Sequence, residues 1–342
     1  MTLKGLCQTT AMGILPHTDI KAAMKLALSV DIPFWPQLPR VSFYEDMYVQ
    51  VTENFPGITI DETKQKILFS LEGFYAGMEE YVLKYENENT FGLSPEYSVV
   101  YREFLEQELG GYNAIRGQSI GPVSFGMKIT DESKKPIIYN NEVKDFLYDF
   151  IARKCNHQYR ELVRKNPNSI VWVDEPGLEI IFGSFSGYSS EQAKGDFREF
   201  LSNVEGPKGV HLCGNPDWSF LLKDVDLDIL SLDAFGCGRI FSRYVDEIKA
   251  FLAKGRIIAW GIVPTLTEEQ TPESVKTLIQ RLEEYWDFLG KAGIPKEVIL
   301  KQAWLTPARC CLINADGTKS VDRAFRILQE VSGYFRDKYG LA

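Results

Sequence analysis

The sharpest chemical pattern in the sequence is a histidine and a cysteine two positions apart, His211 and Cys213, at the end of a short apolar run. Side chains at alternate positions of a strand point to the same face, so these two are expected to project together. Cys310 follows a later apolar run, and Asp233 ends a run between the two. Imidazole, thiolate and carboxylate groups are the ligands that zinc takes in proteins. The four side chains therefore predict a tetrahedral zinc site with one displaceable ligand.

Two other interpretations of these residues remain open at this point. Buried cysteines often pack as small hydrophobic side chains, and His211 can be a hydrogen-bonded core histidine. A disulfide between Cys213 and Cys310 is less favoured, because the chain has no secretion signal and is expected to stay in a reducing compartment.

A second pattern is the pair of adjacent acids Asp174 and Glu175, which end the apolar run 170–177 just before a proline. In a strand, one of two adjacent side chains points inward and the other outward. We expect Asp174 to point into the site and to pair with the amino group of a small substrate. The alternative is that it caps a following helix.

Weaker signals come from glycines at strand ends, around Gly13 and Gly121, which permit close approach of backbone to a ligand. Neither glycine belongs to a phosphate-binding loop, so nucleotide cofactors are disfavoured. The aromatic and proline-rich stretch 32–39 either lines an apolar surface or belongs to the core. Glu45, shortly after it, is a further candidate partner for an ammonium group.

The elements that must position these residues follow from the alternation of short apolar runs with longer amphipathic stretches, which is typical of a parallel sheet covered by helices. We count eight such runs, each predicted to be a strand and together favouring a (β/α)8 TIM barrel over a doubly wound open sheet. Strands are predicted at residues 7–15, 32–38, 118–126, 170–177, 209–214, 229–235, 256–263 and 298–305.

The spacing is uneven in one place, residues 39–116, between the second and third predicted strands. We expect two or three helices here, forming a cap over the C-terminal mouth of the barrel. No internal repeat and no flexible linker interrupts the sequence, so residues 1–342 are predicted to form a single barrel domain with this helical insertion.

Composition limits the class of protein further. The chain has 342 residues, 44% of them hydrophobic, and a formal charge of −9 without a basic run, which argues against a nucleic-acid partner. The longest apolar run has seven residues, far short of the ~20 needed to span a bilayer. We expect a soluble cytoplasmic protein with no membrane partner, in which six cysteines serve chemistry or packing rather than disulfides.

At the candidate metal and substrate residues described above, the sequence resembles the catalytic, C-terminal barrel of cobalamin-independent methionine synthases, within the uroporphyrinogen decarboxylase and methyltransferase superfamily. The resemblance covers essentially the whole chain, with its motifs in the family's order. It implies zinc (Zn²⁺) ligands at His211, Cys213, Asp233 and Cys310, where Asp233 replaces the family's glutamate. It also implies that Asp174 holds the amino group of homocysteine, and that the backbone of Met12 and Ile14 contacts the substrate.

What the resemblance implies for function is zinc-dependent methyl transfer to the thiolate of homocysteine, giving methionine. The chain has about half the length of the two-barrel enzymes and lacks the barrel that helps to bind the folate donor. It therefore resembles the stand-alone core type, which implies methylcobalamin or a methylated corrinoid protein as methyl donor. Two alternatives keep the zinc site: a methylcobamide:coenzyme M type of thiol methyltransferase, and a methyltetrahydrofolate-dependent methionine synthase.

Two further classes of protein are alternatives: a decarboxylase, which the sequence disfavours, and a binding protein, which an activity assay can distinguish from an enzyme. A porphyrinogen decarboxylase needs arginines near its start to hold several carboxylates, and the first 35 residues contain none. A protein that only stores metal or corrinoid would bind zinc and show no turnover.

Overall fold

A computed structural model describes residues 3–181 and 188–341 of the chain. Within them, seven parallel strands form one curled sheet in the order β1-β9-β8-β7-β6-β5-β4, and a separate antiparallel pair, β2-β3, lies outside it. The strands are β1 (Gln8–Thr9), β2 (Ile58–Asp61), β3 (Lys66–Phe69), β4 (Ile115–Ile120), β5 (Ser169–Asp174), β6 (Lys208–Leu212), β7 (Ile229–Leu232), β8 (Ile257–Val263) and β9 (Ala303–Pro307).

Residues 32–37 join the two ends of this sheet. The Ile32 amide donates to the carbonyl of Thr9 in β1 at 3.0 Å, and the Arg116 amide of β4 donates to the Pro33 carbonyl at 2.8 Å. The fold is thus the predicted α/β barrel, but the second predicted strand, 32–38, forms only isolated bridges rather than a regular strand. Its prolines supply no amide hydrogen to a ladder, which explains the interruption.

Helices follow the strands of the barrel and pack on its outer face. α12, for example, begins with a capping box in which the side chains of Ser274 and Thr277 each accept a hydrogen bond from the other's backbone amide. The helices are α1 (Ile20–Ala27), α2 (Met47–Gln50), α3 (Leu71–Lys84), α4 (Val99–Leu105), α5 (Pro122–Lys128), α6 (Asn141–Val163), α7 (Leu178–Ile181), α8 (Ser190–Asn203), α9 (Ala234–Phe241), α10 (Val245–Ala253), α11 (Thr267–Gln270), α12 (Val275–Lys291), α13 (Lys296–Lys301) and α14 (Lys319–Tyr339).

Three further strands differ in extent from their predictions. The first, 7–15, is a regular strand only at Gln8–Thr9, with isolated bridges at Ile14. The third predicted strand, 118–126, is displaced, because β4 already ends at Ile120 and Pro122 starts α5, a position where its missing amide hydrogen costs nothing. The last predicted strand, 298–305, begins too early, since its first residues belong to α13.

The insertion after the second predicted strand contains α2, α3 and α4, and also the hairpin β2-β3, which the all-helical expectation missed. Ile58 and Ile60 alternate with polar residues in β2, and this period of two was the signal for a strand. Phe55 packs the insertion onto the barrel helices through Phe125 of α5 and Phe150 of α6, at ring-centroid distances of 6.1 and 5.2 Å.

The core is dense in large side chains, and all six tryptophans are buried. Within the described part of the chain, none of the helices combines the length and the apolar character required to cross a membrane.

Candidate metal and substrate site

His211 lies on β6, beside Asp174 of β5 and Ser231 of β7 in the register of the sheet. Its ring is fully buried, with Nε2 2.9 Å from the Sγ of Cys213 and Nδ1 2.8 Å from the Oγ of Ser231. A hydrogen bond from Nδ1 to a neighbouring oxygen fixes the tautomer in which Nε2 is free to bind a metal. Ser231 thus orients the imidazole, a role that sequence reasoning did not assign, although its place two residues before Asp233, on the same face of the predicted strand, was the available signal.

Cys310 reaches the same place from the loop after β9. Its Sγ lies 3.4 Å from the Sγ of Cys213, and the cysteines of the described chain are free thiols. The loop is fastened to the end of the first predicted strand, because the Ile14 amide donates to the Cys310 carbonyl and the Leu312 amide donates to the Ile14 carbonyl. Both backbone polar groups of Ile14, which the family resemblance places in contact with the substrate, are therefore engaged with this loop.

Asp174 is the last residue of β5 and its side chain points inward. One ligand atom from each of Asp174, His211, Cys213 and Cys310 lies within 4.8 Å of the others. The Asp174 carboxyl is almost fully buried, and its Oδ1 accepts no hydrogen bond from the described residues. An acceptor in this state is available to a ligand.

The electrostatics of the group favour a thiolate. A hydrogen bond from the Cys310 thiol, together with the neighbouring His211, holds the pKa of Cys213 well below its ordinary value. Burial alone would lower the pKa of His211, but Cys213 and Asp174 raise it above its ordinary value. Burial, and then the charge of Cys213, raises the pKa of Asp174 to about 7.

The donor set of one imidazole and two thiolates fits zinc. Catalytic zinc sites keep three protein ligands and leave a fourth position for water or substrate, and His211, Cys213 and Cys310 offer that arrangement. Asp174 lies beside these three ligands, and its Oδ1 has no hydrogen-bond partner among the described residues.

Asp233, the carboxylate that the sequence assigns to zinc, lies outside this group. It caps α9 by accepting the Gly236 amide on Oδ1 at 2.7 Å, and its Oδ2 accepts from Nε of Arg309 at 3.2 Å. Burial raises the pKa of Asp233, and these two donors oppose that rise. Both carboxylate oxygens are thus occupied by protein donors.

Glu45 sits in the insertion and is also fully engaged there. Its carboxylate accepts from Ser98 Oγ at 2.7 Å, from the Val100 amide at 3.1 Å and from Gln50 Nε2 at 3.2 Å. It holds the first turn of α4, where unpaired amide hydrogens need acceptors.

The barrel interior beneath the site is filled. Met12 is buried with its sulfur against the indole of Trp172, and the guanidinium of Arg116 lies 4.1 Å from the Trp172 ring and 5.4 Å from that of Phe34. Burial lowers the pKa of Arg116, and the charge of Asp174 opposes this. A ligand of the group above must therefore stay at the mouth of the barrel.

Glu175 points away from the site and locks the turn that carries Asp174. Its carboxylate accepts the amides of Val123 and Ser124, at 3.0 and 2.8 Å, and the Ser124 hydroxyl at 2.6 Å. The Ser124 Oγ in turn accepts the Gly177 amide at 2.9 Å. The two adjacent acids thus divide their roles, with Asp174 facing the metal group and Glu175 fastening β5 to the start of α5.

Comparisons with known proteins add information on the fold. No protein-family model and no curated protein matches the chain. Among solved structures it is similar to a protein described as a B12-independent methionine synthase from Shewanella sp. W3-18-1 in complex with selenomethionine, with a TM-score of 0.56 and 13% sequence identity over 98% of this chain and 99% of that chain. At this level of identity the similarity shows a shared fold.

Proposed function

We propose that the protein is a zinc-dependent thiol methyltransferase that converts homocysteine to methionine. The observation that carries this proposal is the convergence of two cysteines and a histidine at the barrel mouth, beside a buried carboxylate oxygen that has no partner in the described part of the chain. A metal-ligating set next to an unpaired acceptor suits a small substrate that bears both a thiol and an ammonium group.

His211, Cys213 and Cys310 would hold the zinc ion, with the Ser231 hydroxyl orienting the imidazole. When bound, zinc supplies a strong lowering of the pKa of a thiol that approaches its open position. The two cysteine ligands contribute negative charge, which keeps an approaching sulfur electron-rich. Asp174 would accept the ammonium group and so fix the position of the amino acid.

The acceptor substrate follows from Asp174. Homocysteine presents a cation to this carboxylate, and the two groups would form a charge-assisted hydrogen bond. The alternative acceptor, coenzyme M, presents a sulfonate, which a carboxylate repels. The structure therefore favours homocysteine over the coenzyme M type of reaction.

The proposal also concerns the identity of the methyl donor. The sequence favours methylcobalamin or a methylated corrinoid protein because the chain is about half as long as the two-barrel enzymes and lacks the barrel that helps to bind the folate donor. The Shewanella protein, described as B12-independent, matches over 99% of its own length, so a chain of this size does not by itself point to a corrinoid. Methylcobalamin stays the donor that we propose to test first, with methyltetrahydrofolate as the competitor.

The deciding experiment is an assay of purified, zinc-loaded protein with homocysteine and either methylcobalamin or methyltetrahydrofolate, with methionine measured by mass spectrometry. Methionine formed from methylcobalamin supports the whole proposal, and methionine formed from the folate alone replaces the donor. A parallel reaction with 2-mercaptoethanesulfonate tests the alternative acceptor. Full activity in a zinc-free Cys213→Ala/Cys310→Ala double variant would refute the proposal, and zinc binding without turnover would indicate a binding protein.

A further inference from the structure

Three glutamines connect the insertion to the barrel mouth through a line of side-chain hydrogen bonds, which we call the glutamine relay: Gln50, Gln37 and Gln118. Gln50 Nε2 donates to Glu45, Gln37 Nε2 donates to Gln50 Oε1 at 2.8 Å, and Gln118 Nε2 donates to Gln37 Oε1 at 3.0 Å. All four side chains are buried, none more than 5% exposed.

The orientation of each amide in the relay is fixed by its surroundings. Glu45 accepts the Val100 amide on one oxygen and Ser98 on the other, so its carboxylate can only accept from Gln50 as well. An amide whose oxygen and nitrogen look alike is assigned by such a network. The far end is fixed independently, because Gln118 Nε2 also donates to the main-chain carbonyl of Trp35 at 3.2 Å.

With its nitrogen held by two acceptors, Gln118 must present its oxygen to the other side. That Oε1 is buried and has no hydrogen-bond partner within residues 3–181 and 188–341. A buried acceptor left unpaired is destabilising, so a ligand that donates a hydrogen bond to it is expected to bind more tightly.

Gln118 lies on the inner face of the barrel, on the strand next to the one that carries Asp174. Gln118 stands in register with Trp172, two residues before the pair Ile120 and Asp174, so Gln118 and Asp174 face inward from neighbouring strands. The Gln118 amide also packs directly on Gly13, where a Cβ would come within 2.5 Å of its Nε2. The two unpartnered acceptors, Gln118 Oε1 and Asp174 Oδ1, thus belong to one inner face.

We infer that Gln118 Oε1 is a second acceptor for the ammonium group of the substrate, and that the glutamine relay keeps it turned toward the site. The inference rests on the proposed function and deepens it, because it makes Gln118 a determinant of specificity for amino thiols over thiols that lack an amino group. It also gives Glu45 a positioning role, since the carboxylate reaches the site only through Gln50 and Gln37.

The test compares the Kd values of homocysteine and of its desamino analogue, 4-mercaptobutanoate, for the zinc-loaded protein by calorimetry. The parent protein is expected to prefer homocysteine. In Gln118→Met, which keeps the size of the side chain and removes the acceptor, that preference should fall about ten-fold, the value of one hydrogen bond to a charged group. A purely structural defect would weaken both ligands equally.

The matched control is Gln270→Met. Gln270 is equally buried and its Nε2 also donates to two carbonyls, those of Pro264 and Ser320, but it takes no part in the relay. The preference of Gln270→Met for homocysteine over 4-mercaptobutanoate should equal that of the parent protein. If Gln118→Met does not fold, Gln118→Asn is the second variant. It keeps an amide but is one methylene shorter, so its oxygen lies farther from the site, and it should show the same loss of preference for homocysteine.

An unchanged preference in a folded, zinc-loaded Gln118 variant overturns the inference and leaves the proposed function standing. If the parent protein binds and methylates neither thiol, the proposed function fails and the inference falls with it. Binding and activity measured on the parent protein therefore distinguish failure of the proposed function from failure of the inference.

Discussion

Cys213 and Cys310 are 97 positions apart in the sequence, and their Sγ atoms lie 3.4 Å apart in the structure. One follows β6 and the other follows β9, so only the curling of the sheet brings them together. With His211 they define the point around which the proposed chemistry is organised, and each prediction below tests a residue at or near this point.

Removal of either thiol should abolish zinc binding. Cys213→Ala and Cys310→Ala each leave two ligands, too few for a stable zinc site, so metal analysis of the purified variants should find no stoichiometric zinc. Cys311→Ala is the matched control, because Cys311 is the exposed neighbour of Cys310. Zinc lost from Cys311→Ala and retained in Cys310→Ala would reverse the assignment.

Asp233 should prove dispensable for zinc and useful for stability. Asp233→Asn keeps a helix-capping side chain and is expected to retain zinc, whereas Asp233→Ala should lose about 1 kcal/mol in the free energy of unfolding, because the cap of α9 disappears. Metal analysis and urea unfolding measure the two effects. Loss of zinc from a folded Asp233→Asn variant would restore Asp233 as a ligand.

Ser124→Ala should destabilise the fold through the turn that carries Asp174. The change removes a donor to Glu175 and the acceptor of the Gly177 amide, both buried, at a cost of about 1–3 kcal/mol. Chemical denaturation measures this cost. Ser133→Ala, in an exposed loop, is the control and should stay within about 0.5 kcal/mol of the parent. Equal stabilities of the two variants would contradict the described role of Glu175.

The ion pair of Arg102 with Glu161 should make a pH-dependent contribution to stability. Burial alone would raise the pKa of Glu161, but His157 and Arg102 lower it to about 2. Since the unfolded value is about 4.3, this contribution is present above about pH 4.3 and is lost as the pH falls toward about 2. The destabilisation caused by Arg102→Gln should therefore be larger at about pH 7 than at about pH 3. Urea unfolding at both pH values measures it, and an equal effect at both would show that the ionised pair makes no pH-dependent contribution to stability.

Much of the barrel could be predicted from local pattern. A strand alternates its side chains by geometry, so His211 and Cys213 were expected to face inward together, and Asp174 and Glu175 to face opposite ways. The buried strands β5 to β8 are near-continuous apolar runs, as parallel strands covered on both faces must be. The segment 32–38 was harder, because its prolines carry the apolar pattern of a strand without its hydrogen bonds.

The order of side chains along the sequence determined which residues could carry chemistry, but the tertiary structure decided how they are used. Asp233 and Asp174 are both carboxylates at strand ends, and the sequence predicts that Asp233 binds zinc and that Asp174 binds the amino group of the substrate. The fold separates them, because Arg309 and the start of α9 occupy both oxygens of Asp233 and leave Oδ1 of Asp174 without a donor. Likewise, nothing in the sequence distinguishes Gln118 from other glutamines, since its orientation is set by hydrogen bonds to residues 81 and 83 positions away. Partnering of polar groups depends on contacts between distant segments, and a sequence pattern does not contain those contacts.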